Sequence, residues 1–158
     1  MFKKEWTTGN NNKIAFNSLV EIVKKYNLKG AKIFIGTDSF ISNKKVVFAS
    51  AICLHGENLP GRYFFIREKE ESKNYLNLVS RITEETSRSI KIAELLMNKY
   101  DFNPNTMELH LDISPFNLRN GTSPFSDMLK GYVQGFGFEC KIKPDAWASQ
   151  SIADKHSK

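Results

Sequence analysis

A chain of 158 residues has the length of one domain and typically buries about two-thirds of its unfolded surface, so its core needs no disulfide or metal staple. A hydrophobic content of 41%, an aromatic content of 12% and a mean hydropathy of -0.40 exclude a disordered or fibrous chain. The net charge of +6 and the isoelectric point near 9.3 suit a polyanion such as nucleic acid, although the basic residues are spread along the chain. Their one local concentration is Lys141, Lys143, Lys155, His156 and Lys158. No apolar run reaches membrane-spanning length and the start is charged, which predicts a cytoplasmic protein without a membrane partner. Cys53 and Cys140 lie in predicted strands without a CxxC or Cys/His cluster nearby, so both are expected as buried thiols.

The polar residues 1–12, with Gly9 and the run Asn10 to Asn12, read as a flexible lead-in. Phe16, Leu19, Val20 and Val23 recur at helical spacing and predict an extra N-terminal helix over 13–27, closed near Gly30. An apolar strand over 31–37 then runs into Asp38, a carboxylate that is expensive beside a buried strand unless something uses it. Ser42-Asn43-Lys44 turns the chain into a β-rich run from Val46 to Leu54, and a second turn leads to a strand from Arg62 to Ile66. Three strands joined by short loops make an antiparallel meander.

Helical periodicity follows over 73–100, with Tyr75, Leu78, Val79, Ile82, Ala93 and Leu96 on one face. That stripe passes through Glu85, whereas Glu84 lies about 100° round the helix. A strand from Met107 again ends on an aspartate, Asp112. Ser123 as N-cap and Pro124 at the first helical position open another helix, with Phe125, Met128, Leu129, Tyr132, Val133 and Phe136 on one face. Phe138, Cys140 and Ile142 alternate as a strand that Pro144 stops, and Asp145 precedes a terminal helix with Trp147 and Ile152 inward. With no repeat and no linker, residues 1–158 read as a single α/β domain with a five-stranded mixed sheet flanked by helices.

The meander makes strands one and three parallel, and the two helical crossovers keep strands four and five parallel to them. Asp38, Asp112 and Asp145 therefore fall at the carboxyl ends of three strands of one direction, the edge at which open α/β sheets bind ligands. Glu85 faces the same edge from its helix. Asp154 is a rival to Asp145, but nine residues of helix put the two about 13 Å apart and half a turn out of phase, so both cannot serve one site. Asp145 is preferred because it sits next to a strand end. Two carboxylates about 4 Å apart repel by about 4 kcal/mol at an effective dielectric of about 20, so such a cluster holds either protons or cations. Oxygen ligands without His or Cys select hard ions, Mg²⁺ or Mn²⁺, and a pair of them serves phosphodiester hydrolysis.

Aspartates ending strands one and four, a glutamate in the first crossover helix and an aspartate opening the last helix resemble the ribonuclease H-like superfamily. The chain is most similar to its small bacterial YkuK-type family, through Ile35-Gly-Thr-Asp38-Ser39, His110-Leu-Asp112-Ile113 and Lys141-Ile-Lys-Pro-Asp145-Ala-Trp-Ala-Ser149. The resemblance runs from about residue 31 to the end of the sequence and implies a ribonuclease H-like fold. It further implies a two-metal nuclease acting on RNA, DNA or a hybrid, with Asp38 bridging the ions and Glu85, Asp112 and Asp145 completing the ligand set. Ser39 stands where ribonucleases H often place a glycine that lets the nucleic-acid backbone approach, and Lys141, Lys143, Lys155 and His156 are the expected phosphate contacts. The alternative is a binding module that keeps the fold without the chemistry.

Overall fold

The computed structural model describes residues 1–114 and 125–158. Its strands are β1 (Trp6–Thr8), β2 (Lys13–Ile14), β3 (Lys32–Ser42), β4 (Lys45–His55), β5 (Arg62–Glu71), β6 (Met107–His110) and β7 (Glu139–Lys141). They form one mixed sheet in the order β2-β1-β5-β4-β3-β6-β7. The helices are α1 (Phe16–Leu28), α2 (Leu78–Tyr100), α3 (Ser126–Gly135) and α4 (Asp154–Ser157), and α4 continues a wide π-helical segment, Ala148–Ala153.

The meander is β3-β4-β5, and Asn43 turns its first hairpin in the left-handed region that asparagine tolerates. As expected, β6 runs parallel to β3 and β7 parallel to β6. The side chains of β3 and β4 alternate between two unequal cores. Ile33, Ile35, Ile52 and Leu54 point to the larger one, which α1 and α2 cover, while Ala51 and Cys53 meet Phe65, Ala148 and Ala153 on the opposite face. Both cysteines are buried and reduced.

Several boundaries differ from the sequence reading, which counted five strands where the sheet has seven. Residues 1–12 are not a flexible lead-in. Trp6 is fully buried in β1, and Gly9 to Asn12 form the tight hairpin that returns to β2, at the start of what was expected as helix. A strand of three residues is too short to display alternation. The long crossover helix starts at Leu78, where the Asn77 side chain accepts a 2.7 Å hydrogen bond from the Ser80 N–H. The expected cap of α3 at Ser123 and Pro124 lies outside the described residues. On α3, Leu129 and Val133 are buried, but Met128, Tyr132 and Phe136 face outward.

Candidate active site

The site grows out of the different lengths of β3 and β6. The ladder between them ends where Gly36 pairs with His110, whereas β3 continues beside β4 as far as Ser42. Asp38 thus lies inside a strand rather than at its end, at the point where that strand loses its neighbour on one side. Asp112 lies just beyond the end of β6. Between them opens a cavity of about 390 Å³, lined by Asp38, Ser39, Arg81, Glu85, Asp112, Lys143 and Asp154 among others.

Four carboxylates from four parts of the chain therefore meet. Asp38 is buried, and it is pushed up to about 9 by burial first, then by the charges of Glu85 and Asp112 and by a hydrogen bond with Asp154. Burial likewise raises Glu85 to about 8, against the opposing pull of a 2.6 Å hydrogen bond donated by the Ser39 hydroxyl. The remaining two carboxylates have cationic partners. Lys143 Nζ lies 3.0 Å from Asp112, and Lys158 Nζ lies 3.2 Å from Asp154.

Glu85 and Glu84 separate as the helical stripe predicts. Glu85 turns into the cavity, whereas Glu84 joins Glu68 and Glu70 around the buried Arg88. The choice between Asp145 and Asp154 comes out the other way. Asp145 is exposed and does not line the cavity, while Asp154 does. The preference for Asp145 rested on its place next to a strand end and on one straight helix through both residues, and the chain does not run that way. In the structure β7 stops at Lys141, Asp145 lies in the turn that follows, and Asp154 arrives by way of the wide segment 148–153.

Two residues bring that segment onto the sheet. Gly36 carries no side chain where Ser149 lies against it: an added Cβ would come within 2.5 Å of the Ser149 backbone nitrogen and 2.7 Å of the Ala148 carbonyl carbon. The fully buried His110 accepts a 3.0 Å hydrogen bond at Nδ1 from the Ala148 N–H, so its Nε2 carries the proton and donates to Glu108 at 2.8 Å. Lys32 ties Glu108 in turn to Glu139 on β7. Gly36 sits two residues before Asp38 and His110 two before Asp112, so the signal for docking lay inside the motifs that pointed to the carboxylates.

The expected phosphate contacts divide. Ser39 and Lys143 line the carboxylate cavity, and Lys141 pairs with Glu139 on β7. Lys155 and His156 line a separate cavity on the far side of the terminal segment. His156 stacks on Phe65 at 3.6 Å and shares a 3.0 Å hydrogen bond with the Tyr63 hydroxyl.

An oxygen-only donor set of four carboxylates around one opening fits a hard divalent cation. Among the described residues, however, no group of three or more Asp, Glu, His or Cys side chains is drawn together tightly enough to hold a metal as it stands. Ser39, Lys143 and Lys158 occupy oxygens of three of the four carboxylates. No described helix is long and apolar enough to cross a membrane. A family model described as Ribonuclease H-like matches residues 15–158. Neither the curated proteins nor the solved structures gave a significant match.

Proposed function

The chain belongs to the ribonuclease H-like family, and from that premise we propose that it hydrolyses phosphodiester bonds of RNA, DNA or a hybrid with Mg²⁺ or Mn²⁺ held by Asp38, Glu85, Asp112 and Asp154. The observation that carries this reading is the convergence of Asp38, Glu85, Asp112 and Asp154 on one cavity. There burial first and then neighbouring charge hold Asp38 above the usual carboxylate range, so that a cation would relieve the repulsion. Asp38 would be the central ligand of such a site, because Glu85, Asp112 and Asp154 all act on it.

The ions, when bound, supply polarisation of the phosphodiester and neutralisation of the charge that develops on its oxygens. The chain supplies the rest. Ser39 holds Glu85 in one orientation through its hydroxyl, and the Gly36–Ser149 contact fixes the distance at which Asp154 stands from β3. Lys143 and Lys158 neutralise Asp112 and Asp154, and a cation held by those carboxylates would take over that role. Arg81, one turn before Glu85, adds positive charge at the rim.

The same two ion pairs favour a second reading, in which the lysines are permanent counter-ions and the domain binds nucleic acid without cutting it. One comparison separates the two. With Mg²⁺ or Mn²⁺ and labelled RNA, DNA and hybrid substrates, the wild type cleaves, and Asp38→Asn and Glu85→Gln lose at least about a hundredfold in rate. Equal activity in wild type and both variants identifies a contaminant. Calorimetry in which Mn²⁺ gives no heat with the wild type leaves the binding module.

A further inference from the structure

The basic residues behind the net charge of +6 come from distant parts of the sequence but gather in space. Lys4 before β1, Lys13 on β2, Arg67 on β5, and Lys155, His156 and Lys158 on the terminal helix all line one open cavity of about 510 Å³. Its one acidic lining residue is Glu5. Lys13 hydrogen-bonds the Thr7 hydroxyl at 3.1 Å, and Lys4 lies 4.0 Å from Glu68 outside the cavity. Arg67 and Lys155 have no carboxylate partner among the described residues, and after burial their charges are what lowers the pKa of His156. Cations drawn from three elements, with Arg67 and Lys155 unneutralised among them, raise the local potential and attract an anion.

The position of this cavity says which anion. Its far wall is the terminal helix, whose other side carries Asp154 into the carboxylate site, and Lys158 touches both, since it lines the basic cavity while paired with Asp154 at 3.2 Å. A lone phosphate is held by donors converging on a point. Cations spread over a β-hairpin, a central strand and a helix instead match charges repeated along a chain. We infer that the groove between the β1–β2 hairpin, β5 and the terminal helix binds the phosphodiester backbone of a polynucleotide and leads that strand over the helix to the carboxylates. Within the fold, the N-terminal hairpin that the sequence disguised as a lead-in is one wall of a substrate track. The identity of the anion rests on the proposed function, but the groove is tested without cleavage.

Binding is measured in EDTA, by fluorescence anisotropy of a labelled RNA of about 20 nucleotides and of the matching DNA. The pair Arg67→Glu/Lys155→Glu alters one side of the groove, and Lys4→Glu/Lys13→Glu alters the opposite wall. Lys25→Glu/Lys29→Glu makes the same change of charge on and just after α1, away from the groove. All six side chains are exposed, so the fold tolerates each pair. Both groove pairs are expected to weaken RNA and DNA binding by about tenfold or more at moderate salt, and to reduce the slope of log K against log salt by about 1 to 2, while the α1 pair changes little. Equal losses in all three pairs reduce the effect to net charge and overturn the inference, as does unchanged binding in both groove pairs. Release of the RNA by inorganic phosphate at matched ionic strength overturns it in favour of a small-anion site. A protein that binds through the groove but cuts nothing refutes the proposed hydrolysis and leaves the groove standing.

Discussion

At the scale of single residues the decisive group is Asp38. An ordinary aspartate ionises near pH 4, but this one, buried between Glu85, Asp112 and Asp154, is pushed up to about 9. A raised folded-state value means that the fold binds more protons than the unfolded chain between those two limits. Stability is therefore fullest below about pH 4 for this group and declines as pH rises towards 9. Glu85, raised to about 8, adds a loss of the same sign. In urea titrations of the metal-free protein at pH 8, Asp38→Asn should thus be more stable than the wild type by roughly 1–2 kcal/mol, with the gap closing near pH 4. A less stable variant at pH 8 would mean that the carboxylate serves the fold rather than a ligand. Residue-scale logic also distinguishes the two rival aspartates. Asp154→Asn should reduce cleavage about as severely as Asp38→Asn, because it lines the same cavity, whereas the exposed Asp145→Asn should keep near wild-type rates in the same assay.

At the scale of elements, the terminal segment 148–157 decides whether the site exists. It packs on β3 through Gly36 and is capped by His110, and neither contact has slack. Gly36→Ala forces a methyl into the Ser149 backbone and should cost about 1–3 kcal/mol. The loss should be local first, so hydrogen exchange over 146–158 should rise well above that of β4, and cleavage should fall because Asp154 leaves the cavity. Uniform exchange across the chain would show that the segment is part of the global folding unit instead. This element also marks how far the sequence could be read. The directions of β3, β6 and β7 followed from connection lengths alone, because a meander and two helical crossovers leave one solution. Asp38, Glu85 and Asp112 followed from those directions and from the stripe of α2. The approach of the last segment did not, since it depends on a close backbone contact at Gly36 and on a wide helical turn, and no hydrophobic period records either. Trp6 escaped for a related reason. One large buried ring anchors β1, and polar neighbours hide it.

At the scale of the whole molecule, charge is divided: an acidic cavity and a basic groove back onto the same terminal helix. The acidic side is the costly one, because it gathers carboxylates that repel until protons, lysines or cations neutralise them. Cations that bind the folded state alone stabilise it by mass action, by about 2.7 kcal/mol at a free concentration of 100 times Kd. For a chain of this size that corresponds to a rise of about 5–10 °C in Tm, reversed by EDTA. The wild type and Asp38→Asn should therefore exchange places. Without metal at pH 8 the variant melts higher, because it has no carboxyl whose proton the fold must retain while the unfolded chain releases it. With saturating Mn²⁺ the wild type melts higher, because the variant has lost the central ligand and gains little. Thermal scans of both proteins, with Mn²⁺ and with EDTA, test this in four curves. Parallel shifts in the two proteins would place the ion away from Asp38, and a crossing would show that the instability of the cavity and its affinity for metal come from the same carboxylate.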